Sequence, residues 1–184
     1  MAKLEAPAIT KSGKAGMEVT LFEKSGALGG VVRHVIPEFR IPQDAIDKDA
    51  ALLEKMGVNI CLNTEITDLD MLKNADYTAV VLAVGASEPG VLKLEKGETV
   101  NALDFLAQYK ETNGDLDIGK NVVVIGGGNT AMDTARAVKR TKGVEHSYLV
   151  YRRTKRYMPA DEEELQMAID DGVEFMALLA PVKL

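Results

Sequence analysis

The stretch VVVIGGGNTAMD carries the most specific chemistry in this sequence. Gly126, Gly128 and Ala131 fit the pattern G-x-G-x-x-G/A, in which a strand turns tightly into a helix and backbone N–H groups meet a diphosphate. Gly126 permits the turn, Gly128 lets the backbone approach the anion, and Ala131 keeps helix and strand close. The helix N-terminus adds its partial positive charge. A plain glycine turn between a core strand and a helix is the alternative, but the strand before and the helix after favour nucleotide binding.

The end of the next strand selects the nucleotide. An NAD site places Asp or Glu there, to bind the ribose hydroxyls. This chain has VYRRTKR, with Arg152 and Arg153 followed by Lys155 and Arg156. Planar guanidinium groups suit a 2′-phosphate, so NADP(H) is expected in preference to NAD(H). The alternative is a solvated basic loop.

A second, partial site is written in EVTLFEKSGALGG, where Glu23 stands at a strand end before a glycine-rich loop. Such an acid binds the ribose of a dinucleotide whose glycine turn comes earlier in the chain. Gly126 precedes Arg152 by 26 residues, and the same spacing from Glu23 points to a position before Met1. The start MAKLEAPAITKSGKAG holds neither G-x-G-x-x-G nor a P-loop, so the first half of this site is expected to be missing.

These residues need alternating strands and helices to position them. IPQDAIDKDAALLEKMG places Ile46, Ala50 and Leu53 on one helical face, with Gly57 as the stop. VNICLN alternates as a half-buried strand, and DYTAVVLAVGAS reads as a strand covered on both faces of a parallel sheet. NALDFLAQYKET predicts a short helix and NGDLDIGK a turn-rich boundary. Beyond it NVVVI, HSYLVYRR and VEFMALL predict strands separated by two helices, the second starting near Pro159. The expected fold class is α/β, with Rossmann-like parallel sheets in two partial nucleotide-binding domains, residues 1–115 and 116–184, the second of NADP type; the resemblance described below implies FAD type for the first.

Composition narrows the function. A net charge of −6 argues against general nucleic-acid binding. Cys61 is the only cysteine, which rules out an internal disulfide, a C-x-x-C pair or an iron–sulfur cluster held by this sequence alone. No apolar run approaches the ~18 residues of a membrane span, and no signal-peptide core opens the sequence, so a cytoplasmic protein is expected. His34 and His146 lack metal-ligand spacing, and the eight methionines are scattered as core filler.

Taken together, EVTLFEKSGALGGVVRHVIPEFRIP, AVVLAVGAS, VVVIGGGNTAMDTARAVKR and VYRRTKRYMPADEEELQMAIDDGVEF resemble the glutamate synthase small-subunit family of NADPH- and FAD-dependent oxidoreductases. The flavin module of dihydropyrimidine dehydrogenase belongs to the same group, and GVVRHVIPEFRIP is most similar to selenate reductase subunits. The resemblance implies an FAD domain interrupted by an NADPH domain, with hydride passing from NADPH to flavin and electrons leaving through iron–sulfur clusters or a redox partner subunit. It implies that Glu23 binds the FAD ribose and that Gly29, Gly30, Arg40 and Gly85 line the flavin site. Gly126, Gly128, Asn129 and Thr130 would face the NADPH diphosphate, and Arg152, Arg153 and Arg156 the 2′-phosphate. No side chain is required as acid or base, because the cofactors carry the chemistry. Arg40, between Pro37 and Pro42, also reads as a plain surface charge. With the FAD fingerprint absent, a non-catalytic NADP(H)-binding or assembly module is the competing expectation. A homo-oligomer is expected from the sheet edges left open.

Overall fold

The computed structural model describes residues 16–73, 75, 77–85, 92 and 94–183. The readings of residues 1–15 and of 86–87 lie outside them. The chain divides into two compact units, Met1–His34 with Glu38–Ser87, and Val35–Pro37 with Glu88–Leu184. Residues 88–115, assigned from sequence to the FAD-type domain, thus group with the second unit.

In the first unit β1 (Thr20–Phe22) pairs in parallel with β2 (Asn59–Cys61), Thr20 opposite Asn59 and Phe22 opposite Cys61. Two helices follow β1: α1 (Gly30–His34) and α2 (Gln43–Lys55). Helix α2 buries Ile46 and Leu53, seven residues apart on one face, and its chain reverses at Gly57 with φ +78°. A short helix, α3 (Asp70–Lys73), carries the Asp70–Lys73 ion pair on its surface.

The apolar run after Tyr77 corrects a sequence expectation. It forms no strand, and Val81 and Val84 are 72% and 78% exposed. Among the described residues β1 and β2 ladder only to each other, and the run joins neither strand. At its start Tyr77 meets Phe22 edge-to-face at 6.2 Å.

The second unit is built as the βαβ alternation requires. After α4 (Ala102–Glu111), capped by the Asn101 side chain on the Leu103 N–H, come β3 (Asn121–Ile125), α5 (Asn129–Arg140), β4 (His146–Tyr151), α6 (Glu162–Asp170) and β5 (Glu174–Ala177). The three strands are parallel in the order β3-β4-β5, with Val124 opposite Leu149 and Leu149 opposite Phe175. Segment Val35–Pro37 joins this unit through Lys110, whose ammonium donates to the Ile36 carbonyl at 2.9 Å.

Helix α5 is the core. Ala131 to Val138 are all buried, and Ala135 and Ala137 are small enough to let the helix approach the sheet. The buried Ser147 hydroxyl on β4 donates to the Ala135 carbonyl at 3.0 Å, so burying it costs no unpaired donor. Met132, Leu149 and Leu165 are fully buried, each contributing about 1.5–3 kcal/mol of apolar burial. At the far end Asp171 takes Arg136 at 2.5 Å and Arg140 at 2.7 Å, tying α5 to the end of α6. Burial alone would raise the Asp171 carboxyl, but hydrogen bonds from Arg140 and Arg136, with their charges, hold it below the usual carboxylate range.

Candidate nucleotide site

The glycine turn extends β3 by one hydrogen bond, from the Gly126 N–H to the Val150 carbonyl at 3.0 Å. A Cβ on Gly126, at φ +155°, would lie 2.9 Å from the Ala131 Cβ, so the two residues keep each other small, as the spacing predicts. Gly127 is constrained more severely. A Cβ there would lie 2.6 Å from Cδ2 of the Tyr151 ring, and that ring is buried at the end of β4. Around Gly128 a Cβ would meet nothing within 4 Å, and its φ of −98° suits any residue. The space above Gly128 is open, and α5 begins there. N–H groups at the start of a helix have no intrahelical acceptor, so Asn129 and Thr130 present donors at this mouth.

The Asn129 side chain bridges to the start of α6. Its Oδ1 accepts the Asp161 N–H at 3.3 Å and its Nδ2 reaches the Asp161 carboxylate at 3.5 Å. The Ala160 N–H donates to the Gly127 carbonyl at 3.0 Å, joining the same two segments. Thr130 is exposed, and its carbonyl accepts the Thr134 hydroxyl.

At the end of β4, Arg152 and Arg153 line an open groove of about 340 Å³ together with Thr154, Tyr157 and Leu178. Arg156 is exposed on the following 3-10 turn, Lys155–Tyr157, and is not among the groove residues. Lys155 is engaged by Glu162 at 2.7 Å, and that hydrogen bond, with the lysine charge, draws the Glu162 carboxyl below its ordinary value. One side chain links turn and groove: Tyr151, under Gly127, donates its hydroxyl to the Tyr157 carbonyl at 2.6 Å. Sequence reasoning missed Gly127, Tyr157 and Leu178. The aromatic directly before the arginines was the available signal for the first.

In the first unit Glu23 continues the β1 ladder, its N–H donating to the Cys61 carbonyl at 3.0 Å. Its Oε1 already accepts the Ser25 N–H and hydroxyl, both at 2.8 Å. Gly29 sits at φ +122°, where a Cβ would lie 2.8 Å from the Arg33 Cβ and 3.1 Å from Ile46, so its small size serves packing. Gly30 faces open space, Arg40 is half-buried, and Gly85 ends the exposed run at φ +75°. Among the described residues no group of His, Cys, Asp and Glu could hold a metal, and no helix is long and apolar enough to cross a membrane.

A parallel βαβαβ unit with an open glycine turn and a basic groove has the architecture of the dinucleotide-binding α/β folds. The chain belongs to the pyridine nucleotide-disulphide oxidoreductase family, which it matches over residues 6–177. It is 42% identical over 174 residues to the oxidoreductase YgfK of Escherichia coli (strain K12), covering 91% of this chain and 16% of that one. It is 37% identical over 171 residues to the NAD-dependent dihydropyrimidine dehydrogenase subunit PreT of the same strain, covering 91% and 41%. Against the NADPH-Fe(3+) oxidoreductase subunit beta of Geobacter sulfurreducens it is 35% identical over 179 residues, covering 91% and 26%. The chain thus spans well under half the length of these relatives. The fold is shared with 2-naphthoyl-CoA reductase in complex with 2-naphthoyl-CoA, at TM-score 0.72 and 23% identity, covering 94% of this chain and 26% of that one.

Proposed function

We propose that the second unit binds NADP(H) and serves hydride transfer in an FAD-dependent oxidoreductase of the glutamate synthase small-subunit type. The observation that carries the cofactor choice is the pair Arg152 and Arg153 in the groove at the end of β4, where an NAD site needs a carboxylate. The names of the relatives include both NAD-dependent and NADPH-linked proteins, so the choice rests on these two side chains. The open space at Gly128 fits a diphosphate beside the first N–H groups of α5, and the arginines fit a 2′-phosphate. NADPH, when bound, supplies the hydride. The chain's own part is to hold the diphosphate at residues 126–130 and the phosphorylated ribose at 152–153.

For flavin the fit is partial. Glu23 offers a ribose acceptor, with Gly29, Gly30, Arg40 and Gly85 as the proposed lining, but the described residues of the first unit contain no G-x-G-x-x-G turn for its diphosphate. Electrons would pass to a redox partner subunit or an iron–sulfur domain. The second reading, a non-catalytic NADP(H)-binding or assembly module, draws support from Glu23 already being bonded within its own loop by Ser25.

Calorimetric titration with NADPH and NADH tests the cofactor choice. NADPH should bind more tightly, and Arg152→Ala should remove about 1.5–3 kcal/mol of that preference. Equal affinities, or a preference for NADH, refute it. Stoichiometric flavin absorbance with NADPH-driven dye reduction supports the enzyme over the module.

A further inference from the structure

We propose that the Asp161 carboxylate is a charge gate on the diphosphate site, a resident anion that lowers nucleotide affinity and keeps the cofactor exchangeable. The inference rests on the NADP(H) reading and deepens it by adding a residue that opposes binding. It starts from a carboxylate turned away from the helix that it begins.

Asp161 is the cap residue of α6, at φ −63° and ψ 144°, yet its side chain makes no capping bond to that helix. An aspartate in this place ordinarily accepts an N–H of its own first turn. Here the chain is drawn across to α5. The Ala160 N–H donates to the Gly127 carbonyl at 3.0 Å, and the Asp161 N–H to the Asn129 Oδ1 at 3.3 Å. The second of these bonds turns the Asn129 amide so that its NH2 group faces the Asp161 carboxylate, 3.5 Å away. Its neighbour Glu162 is paired instead with Lys155 at 2.7 Å. The start of α5 has no anion of its own, since its cap is Gly128 and its first turn carries no acid. Asp161 therefore brings a negative charge from another segment to the positive end of α5, where one is favoured. The hold is light: 3.5 Å is the long limit of a hydrogen bond, and both side chains are exposed. A diphosphate at residues 126–130 would meet this charge at the same helix end, and the two repel. A hydride donor has to leave once it has reacted. A carboxylate ready to reclaim the helix end favours that departure.

The test titrates NADPH, NADH and adenosine 2′-phosphate into the 184-residue chain and its variants Asp161→Asn, Asp161→Ser and Asp161→Glu. Asparagine and serine both suit the cap position, so they remove the charge with little cost to α6. Each should bind NADPH and NADH roughly three- to ten-fold more tightly than the parent, through slower release. Adenosine 2′-phosphate, which has no diphosphate, should bind equally well to all. The gain should shrink in high salt, and Asp161→Glu should keep the parental affinities. A residue that only held the fold together would move all three ligands alike or none. If the parent binds NADPH and neither neutral variant binds it more tightly, the gate is overturned and the cofactor reading stands. The same holds if adenosine 2′-phosphate gains as much as NADPH. If the parent and the neutral variants bind none of the three, the cofactor reading falls and the gate with it.

Discussion

Replacing Gly127 with alanine should destabilise the second unit through a collision inside its own fold. The added methyl would lie 2.6 Å from Cδ2 and 3.0 Å from Cζ of Tyr151. The ring is 8% exposed, and its hydroxyl is bonded to the Tyr157 carbonyl, so it cannot slide aside and keep that bond. Overpacking of this kind costs about 1–3 kcal/mol. Losing the hydroxyl's bond adds roughly 0.5–1.5 kcal/mol, for a total of about 1.5–4.5 kcal/mol. Urea unfolding, with hydrogen exchange of the β3 and β4 amides to report on this unit, measures the loss. Tyr151→Ala alone should cost ~3–5 kcal/mol, as for truncation of other large aromatics. In the double variant the methyl no longer meets a ring, so the two losses should fall short of additivity by at least about 1 kcal/mol. Strict additivity, or a silent Gly127→Ala, would refute the proposed collision.

Asp171→Asn should cost about 1–3 kcal/mol at neutral pH by releasing Arg136 and Arg140. Because the folded carboxyl is held low, its contribution is full above the unfolded value near ~3.9 and fades as pH falls through the folded one, so parent and variant should converge in acid; a gap constant with pH would contradict this. Gly29→Ala should destabilise the first unit by more than ~1 kcal/mol, since its methyl meets Arg33 and Ile46 at a positive φ; unchanged exchange of the β1 and β2 amides would count against it. The exposed run at Val81 and Val84 should drive concentration-dependent association, relieved by Val81→Asp with Val84→Asp. Light scattering that finds a monomer at every concentration would end that expectation.

What the sequence made legible follows from what is local. The second unit's strands, helices and glycine turn are written in short-range patterns, and each formed where the alternation placed it. The arginines' place at the end of β4 was legible because strand length fixes where the second strand of a βαβ unit stops. Three features depend on contacts between distant segments, and these escaped. Gly127 is constrained by a ring 24 positions on, Asn129 by the backbone N–H and carboxylate of Asp161 32 positions on, and Leu178 by the carbonyl of Arg153. The run after Tyr77 has the composition of a buried strand, but a strand exists only with a neighbour to pair with, and composition cannot supply one.

The three consecutive glycines are unequal, and that gives the experimenter a clean tool. Positions 126 and 127 are closed by the protein's own atoms, whereas position 128 is closed by nothing in the fold and has an ordinary backbone. A Cβ there meets no protein atom within 4 Å, so it would enter the room of the proposed nucleotide. Gly128→Val should therefore yield a chain that expresses, melts and assembles like the parent but is blind to nucleotide. Placed in a cell, such a chain would separate what this protein does by being present from what it does by binding.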